Sequence, residues 1–81
     1  MDKWIPTSKR LPEEDFVGQV LISRTWFNRI DKHYYSAVGE CHFCWYKGNP
    51  MWYLESMNRY VDPHTVKAWK PLPEPYKEDE Q

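Results

Sequence analysis

The chain has 81 residues, a formal net charge of −1 and an aromatic content of five Trp, six Tyr and three Phe. That length makes one domain in which a single core is marginal, and rings that each bury roughly 150–250 Å² stand in for many aliphatics. No apolar run approaches the ~20 residues of a helical membrane span, and the cations are too thinly spread to neutralise several duplex phosphates together.

Residues 1–16 read as an extended segment. Trp4 and Ile5 are its apolar anchor, Pro6 prevents a regular helix, and Leu11-Pro12 makes a second pinned corner. Residues 17–24 are the clearest strand, with Val20 and Ile22 alternating against Leu21 and Ser23. In residues 25–33 the apolar positions 26/27, 30 and 33/34 have helical spacing, which predicts one or two helical turns on top of a sheet.

Residues 34–46 form a second strand. Tyr35, Ala37, Gly39, Cys41 and Phe43 fall on one face, the expected core side, and Ser36, Val38, Glu40, His42 and Cys44 on the other. Gly48-Asn49-Pro50 is the expected turn, and residues 51–55 return as a third strand. Asp62-Pro63 breaks the chain, and residues 65–69 form a last strand, ended by Pro71, Pro73 and Pro75.

These elements predict a mainly β protein, with α+β as the alternative. The architecture is a small curled antiparallel sheet of about four strands with extended Pro-rich terminal segments. Trp4, Trp52 and Trp69 are assigned to its core. One domain spans 1–76, and residues 77–81 are an acidic tail. Residues 17–70 hold seven basic against four acidic groups, a net of +3, while residues 71–81 hold one against four, a net of −3. Met1-Asp2-Lys3-Trp4 carries no apolar stretch of secretory type, so the expected location is the cytoplasm. Exposed sheet edges make a homodimer a further expectation.

Cys41-His42-Phe43-Cys44 has zinc-ligand spacing, and His33, His42 and His64 are available to complete a site. There is no second Cys pair and no Gly after Cys44, and an extended strand sends positions 41 and 44 to opposite faces. The expectation is two reduced thiols, without metal, disulfide or cofactor. Ser8, Ser23, Ser36 and Ser56 lack a nucleophile-elbow pattern, and three isolated glycines build no phosphate loop, so no enzyme is expected.

The signal that remains interleaves rings with cations. Arg24, Trp26, Arg29, Lys32, Tyr34 and Trp45 are the candidate partner- or ligand-binding residues. Bases stack on rings while Arg grips phosphate in bidentate fashion. The same residue types anchor protein interfaces.

Trp4-Ile5, Arg10-Leu11-Pro12-Glu13-Glu14, Val20-Leu21-Ile22 and the closing Val66-Lys67-Ala68-Trp69-Lys70-Pro71-Leu72-Pro73-Glu74-Pro75 together resemble a family of small phage and prophage proteins. It is the one catalogued as domain of unknown function 551. The chain departs from the common pattern at Ala68, where a His often precedes the Trp, and at Lys70, where an apolar residue is usual. Residues 26–33 also look longer than usual. The resemblance implies a phage or prophage gene expressed in a bacterial cytoplasm, and action by binding. The leading expectation is a non-enzymatic module that engages a host or phage protein and inhibits a host defence. The rival is a protein that sequesters a nucleotide or other small molecule, and a zinc-stabilised module stands third. On physical grounds the signature reads as a clasp. The stiff prolines lie across the N-terminal segment, and Trp4, Leu11, Trp69 and Leu72 close the bottom of the sheet.

Overall fold

The structure is a computed structural model that describes residues 3–72. It holds strands β1 (Ile5–Pro6), β2 (Gly18–Asn28), β3 (His33–Tyr46), β4 (Asn49–Leu54), β5 (Arg59–Tyr60) and β6 (Val66–Pro71), with a 3₁₀ turn at Pro63–Thr65. All pair antiparallel in one sheet of order β1-β6-β2-β3-β4-β5. The mainly β class is therefore correct, but six strands replace the expected four. The additions, β1 and β5, are two-residue edges.

The expected helical turns at residues 25–33 are absent. Here β2 runs on to Asn28 and turns straight into β3, in unbroken register from Gly18↔Phe43 to Asn28↔His33. Pairing places Trp26 beside Tyr35 and Phe27 beside Tyr34, with ring centroids 6.0 and 4.9 Å apart. Cross-strand ring pairs and a complete backbone ladder outweigh the weak helical period. The turn occupies residues 29–32. Asn28 Oδ1 accepts from the backbone N–H of Ile30 at 2.8 Å and of Asp31 at 3.4 Å. The Lys32 N–H donates to the Asn28 carbonyl at 2.7 Å, and Lys32 itself sits at φ 59°. Asn28 is the local signal for this turn, since Asn bonds its own following backbone.

The β3–β4 turn also moves. Lys47 and Gly48, at φ 51° and 80°, are its central pair, so the two-residue loop has the positive φ of a type I′ hairpin. Asn49 and Pro50 belong to β4, opposite Tyr46 and Trp45. In such a hairpin the pair flanking the loop exchanges hydrogen bonds and the next pair points its N–H groups outward. Pro50 thus stands where no donor toward β3 is needed. Asp62 ends the following loop as a cap. Its Oδ1 accepts from the His64 N–H at 2.9 Å, and its carbonyl accepts from Thr65 N–H at 2.9 Å. β6 then continues through Pro71, two residues past the expected end, pairing Pro71 with Val20.

The core covers one face of the sheet. Val20 and Ile22, Cys41 and Phe43, Trp52 and Leu54, and Val66 and Trp69 are buried there together with Val61. Ile5, Leu11 and Phe16 pack over them from the N-terminal segment. The expected inner face of β3 is the observed one, but only its Cys41 and Phe43 are buried; Tyr35 is exposed. Trp52 and Trp69 are core residues as expected. Trp4 is not: it lies 37 % exposed, with Lys70 Nζ 4.9 Å from its ring centre. Ile5 takes the inward position and pairs with Trp69, and strand alternation sends Trp4 to the other side. The clasp between the ends exists without Trp4. Trp69 Nε1 donates to the Arg10 carbonyl at 3.0 Å, and Thr7 Oγ1 donates to the Val66 carbonyl at 2.9 Å. The expectations placed on Pro73, Pro75 and the 77–81 tail lie outside the described residues.

Candidate functional site

β6 pairs with β2 only as far as Arg24, and β4 pairs with β3 only from His42 onward. Past those points β2 and β3 keep each other alone and project as a two-stranded ribbon. The molecule is correspondingly long, 54 × 28 × 26 Å. Because opposed residues share a face, the ribbon carries two different surfaces.

One surface continues the core face: Arg24, Trp26, Tyr35 and Ala37. Trp26 and Tyr35 stack with an interplanar angle of 26°, and the Arg24 guanidinium lies 4.6 Å from the Trp26 ring centre. The Tyr35 hydroxyl donates to Asp31 at the turn, which raises the phenol above its ordinary pKa because ionisation would set two negative oxygens together. The opposite surface carries Phe27 edge-on to Tyr34, the paired hydroxyls of Thr25 and Ser36 at 3.2 Å, and Val38. At the tip, Ile30 is 93 % exposed and Tyr34 behind it 75 %.

An open cleft of about 380 Å³ lies beside the ribbon, lined by Arg24, Trp26, Met57, Arg59, Val61, Asp62 and Thr65 among others. Asp62 is held below the usual carboxylate range, chiefly by the backbone N–H of His64. It therefore stays charged, with acceptor capacity left over.

The six candidate residues do not converge. Arg24 and Trp26 share the cleft. Arg29 and Lys32 sit in the turn, and Tyr34 lies on the opposite face with Phe27. Trp45 is at the far end of β3, edge-on to Phe43 at 5.5 Å, with its Nε1 donating to the Glu13 carbonyl at 2.8 Å. That ring pins the N-terminal segment over the core and takes no part in the ribbon. Sequence reasoning missed Phe27, Ile30, Tyr35 and Arg59. The repeated juxtaposition of a cation with a ring in Arg59-Tyr60, just before the Asp62-Pro63 break, is the signal by which Arg59 was findable.

Cys41 is buried on the core face, and burial, with the nearby Glu55 charge, pushes its thiol up to about 12. Cys44, three positions on, is half-buried. Among the described residues no three His, Cys, Asp or Glu side chains are grouped to hold a metal ion. Alkylation of the native protein at pH 8, followed by peptide mass spectrometry, should modify Cys44 and leave Cys41 untouched until denaturant is added. Only the thiolate reacts, and the Cys41 thiolate is suppressed in the fold. Equal labelling of both thiols in the native state would contradict this burial. No helix among the described residues is long and apolar enough to cross a membrane.

Neither the curated proteins nor the solved structures compared with the chain contain a significant match. A family model does match, over residues 3–77, and its description is Protein of unknown function (DUF551). That range takes in the Trp4-Ile5 start, the Leu11-Pro12 corner, the central strands and the Trp69 ladder that binds the two ends together, and the chain accordingly belongs to the DUF551 family.

Proposed function

We propose that this protein is a non-enzymatic binding module of a phage or prophage, acting in the bacterial cytoplasm, and that the β2–β3 ribbon is the surface it presents to a host or phage protein. The observation that carries the reading is the ribbon tip, where Ile30 is 93 % exposed at the end of two cross-strand ring pairs. A small domain short of core would bury such side chains if stability alone governed them. Paired rings hold their conformation before contact, so little ordering entropy opposes binding. Tyr, Trp and Arg are the side chains that most often anchor interfaces. Arg29 and Lys32 outweigh Asp31 at the turn, which favours an acidic rim on the partner. Inhibition of a host defence is the role proposed for the complex, by covering a working surface of the defence protein.

The test is a photo-crosslinking residue placed at position 30, with position 8 as control, in protein expressed in a bacterial host. A single protein crosslinked from position 30 and not from position 8 is the expected result. Ile30→Ser with Tyr34→Ser should then abolish co-purification of that protein while the thermal midpoint stays within a few degrees. A complex that survives this double substitution would remove the ribbon from the interface.

A further inference from the structure

The cleft beside the ribbon brings together groups that the proposed partner surface does not use. Arg24 comes from β2 and Arg59 from β5, 35 positions later, yet both line the same open space. Among the described residues neither joins an ion pair, and the carboxylates of Glu13 and Asp62 lie instead against Arg10 and the His64 ring. Arg24 is nonetheless held in place. Its guanidinium rests over Trp26, which in turn stacks on Tyr35, and its Nη2 lies 4.0 Å from Met57 Sδ, a weak acceptor. An arginine fixed on an aromatic platform without a carboxylate keeps its planar fork of donors available for an anion.

The rest of the lining narrows the kind of anion. Among the described residues Asp62 is the only carboxylate in the lining, so the two guanidiniums leave that lining net positive. Its volume of about 380 Å³ lies within the usual range for small-ligand sites and leaves room well beyond one phosphate group. Asp62 remains ionised because the His64 N–H stabilises its charge, so it can accept from hydroxyl or amino donors of a ligand. Trp26 and Met57 supply an apolar wall. Tyr60 borders the space, but its ring is turned edge-on to Tyr53, so no stacking is assigned to it.

We propose that this cleft is a binding site for a nucleoside monophosphate. Arg24 and Arg59 grip the phosphate, Asp62 accepts from the sugar hydroxyls, and the base lies along Trp26 and Met57. This site is separate from the tip at Ile30 and does not depend on the partner reading.

The experiment measures the thermal midpoint and calorimetric binding of the purified protein with adenosine 5′-monophosphate, uridine 5′-monophosphate, adenosine, inorganic phosphate and O-phosphotyrosine. At least one of the two nucleotides should raise the midpoint in a dose-dependent way, as ligand binding to the folded state requires. Adenosine alone and phosphate alone should each do less. Arg59→Gln, at an exposed position that does not endanger the fold, should weaken nucleotide affinity by about tenfold, the usual scale for one charge-assisted contact. Arg24→Gln should do the same, and Ile30→Ser should leave affinity unchanged. Any of three results overturns the proposal: no shift with either nucleotide at millimolar concentration, affinity unaltered by Arg59→Gln, or phosphate or phosphotyrosine alone giving the full effect.

Discussion

Trp52→Ala is expected to destabilise the protein by about 3–5 kcal/mol, the range for deleting a buried large ring. Trp52 is 1 % exposed and faces Phe43 across the β3–β4 ladder, with ring centroids 4.6 Å apart. Phe43 in turn touches Trp45 at 5.5 Å and Phe16 at 6.2 Å. Removing Trp52 therefore takes from Phe43 the nearest of its three ring neighbours and opens a void beside it. The cavity cannot collapse readily, since β3 and β4 are held at fixed spacing by their backbone ladder. Domains of this size have total stabilities of roughly 5–15 kcal/mol, so much of the margin would go. Urea titration followed by far-ultraviolet circular dichroism is the measurement. A lower midpoint at an unchanged slope is the expected form. A loss under about 1 kcal/mol would mean that Trp52 is not the centre of the core.

Trp69→Ala should cost a similar amount, about 3–5 kcal/mol, but its consequences should concentrate at one end of the sheet. Trp69 is 5 % exposed and pairs with both Ile22 of β2 and Ile5 of β1. Its Nε1 donates to the Arg10 carbonyl, and the Arg10 guanidinium lies 5.6 Å from its ring centre. Among the described residues the two-residue β1 has no other strand neighbour, so residues 5–12 depend on this ring and on the Thr7 bonds to β6. Trp45 and Phe43 hold the segment further on, at Glu13 and Phe16. Trp69→Phe keeps most of the apolar area and loses the hydrogen bond, leaving a carbonyl short of its donor. Its expected cost is about 1–2 kcal/mol. Hydrogen exchange at residues 5–12 and tryptic cleavage after Lys9 should both accelerate in Trp69→Ala while β3 and β4 stay protected. Uniform acceleration across the sheet would instead show that the clasp and the core open as one unit.

These two rings were legible as core residues before the fold was known, whereas Trp4 was not, and the contrast explains what a sequence can convey. Trp52 and Trp69 lie on strands whose alternation marks the inward side. Trp4 precedes a two-residue strand, too short to show a period, and its side of the sheet follows from the pairing of Ile5 with Trp69. The apolar spacing over residues 25–33 misled for a related reason. Positions 26, 30 and 33 suit a helix, but the ladder that decides the matter lies across the chain in residues 33–37. The candidate site was likewise half legible. Arg24 and Trp26 stand out as a cation and a ring close in sequence, while Arg59 joins them only when β5 and the Asp62 turn fold beside β2.

The sequence alone determined the existence of the four longer strands, the inward face of β3, a turn at Gly48 and the break at Asp62-Pro63. Boundaries fall within a residue or two except at the end of β2, which runs four residues past Arg24. Those features rest on period-two alternation and on turn chemistry, which act between residues a few positions apart. Only the tertiary structure decided the two edge strands, the projecting ribbon, the outward position of Trp4 and the cleft that joins Arg24 to Arg59. Each of these depends on which strands meet and where their pairing stops, and that is set by cross-strand contacts between residues far apart in the chain.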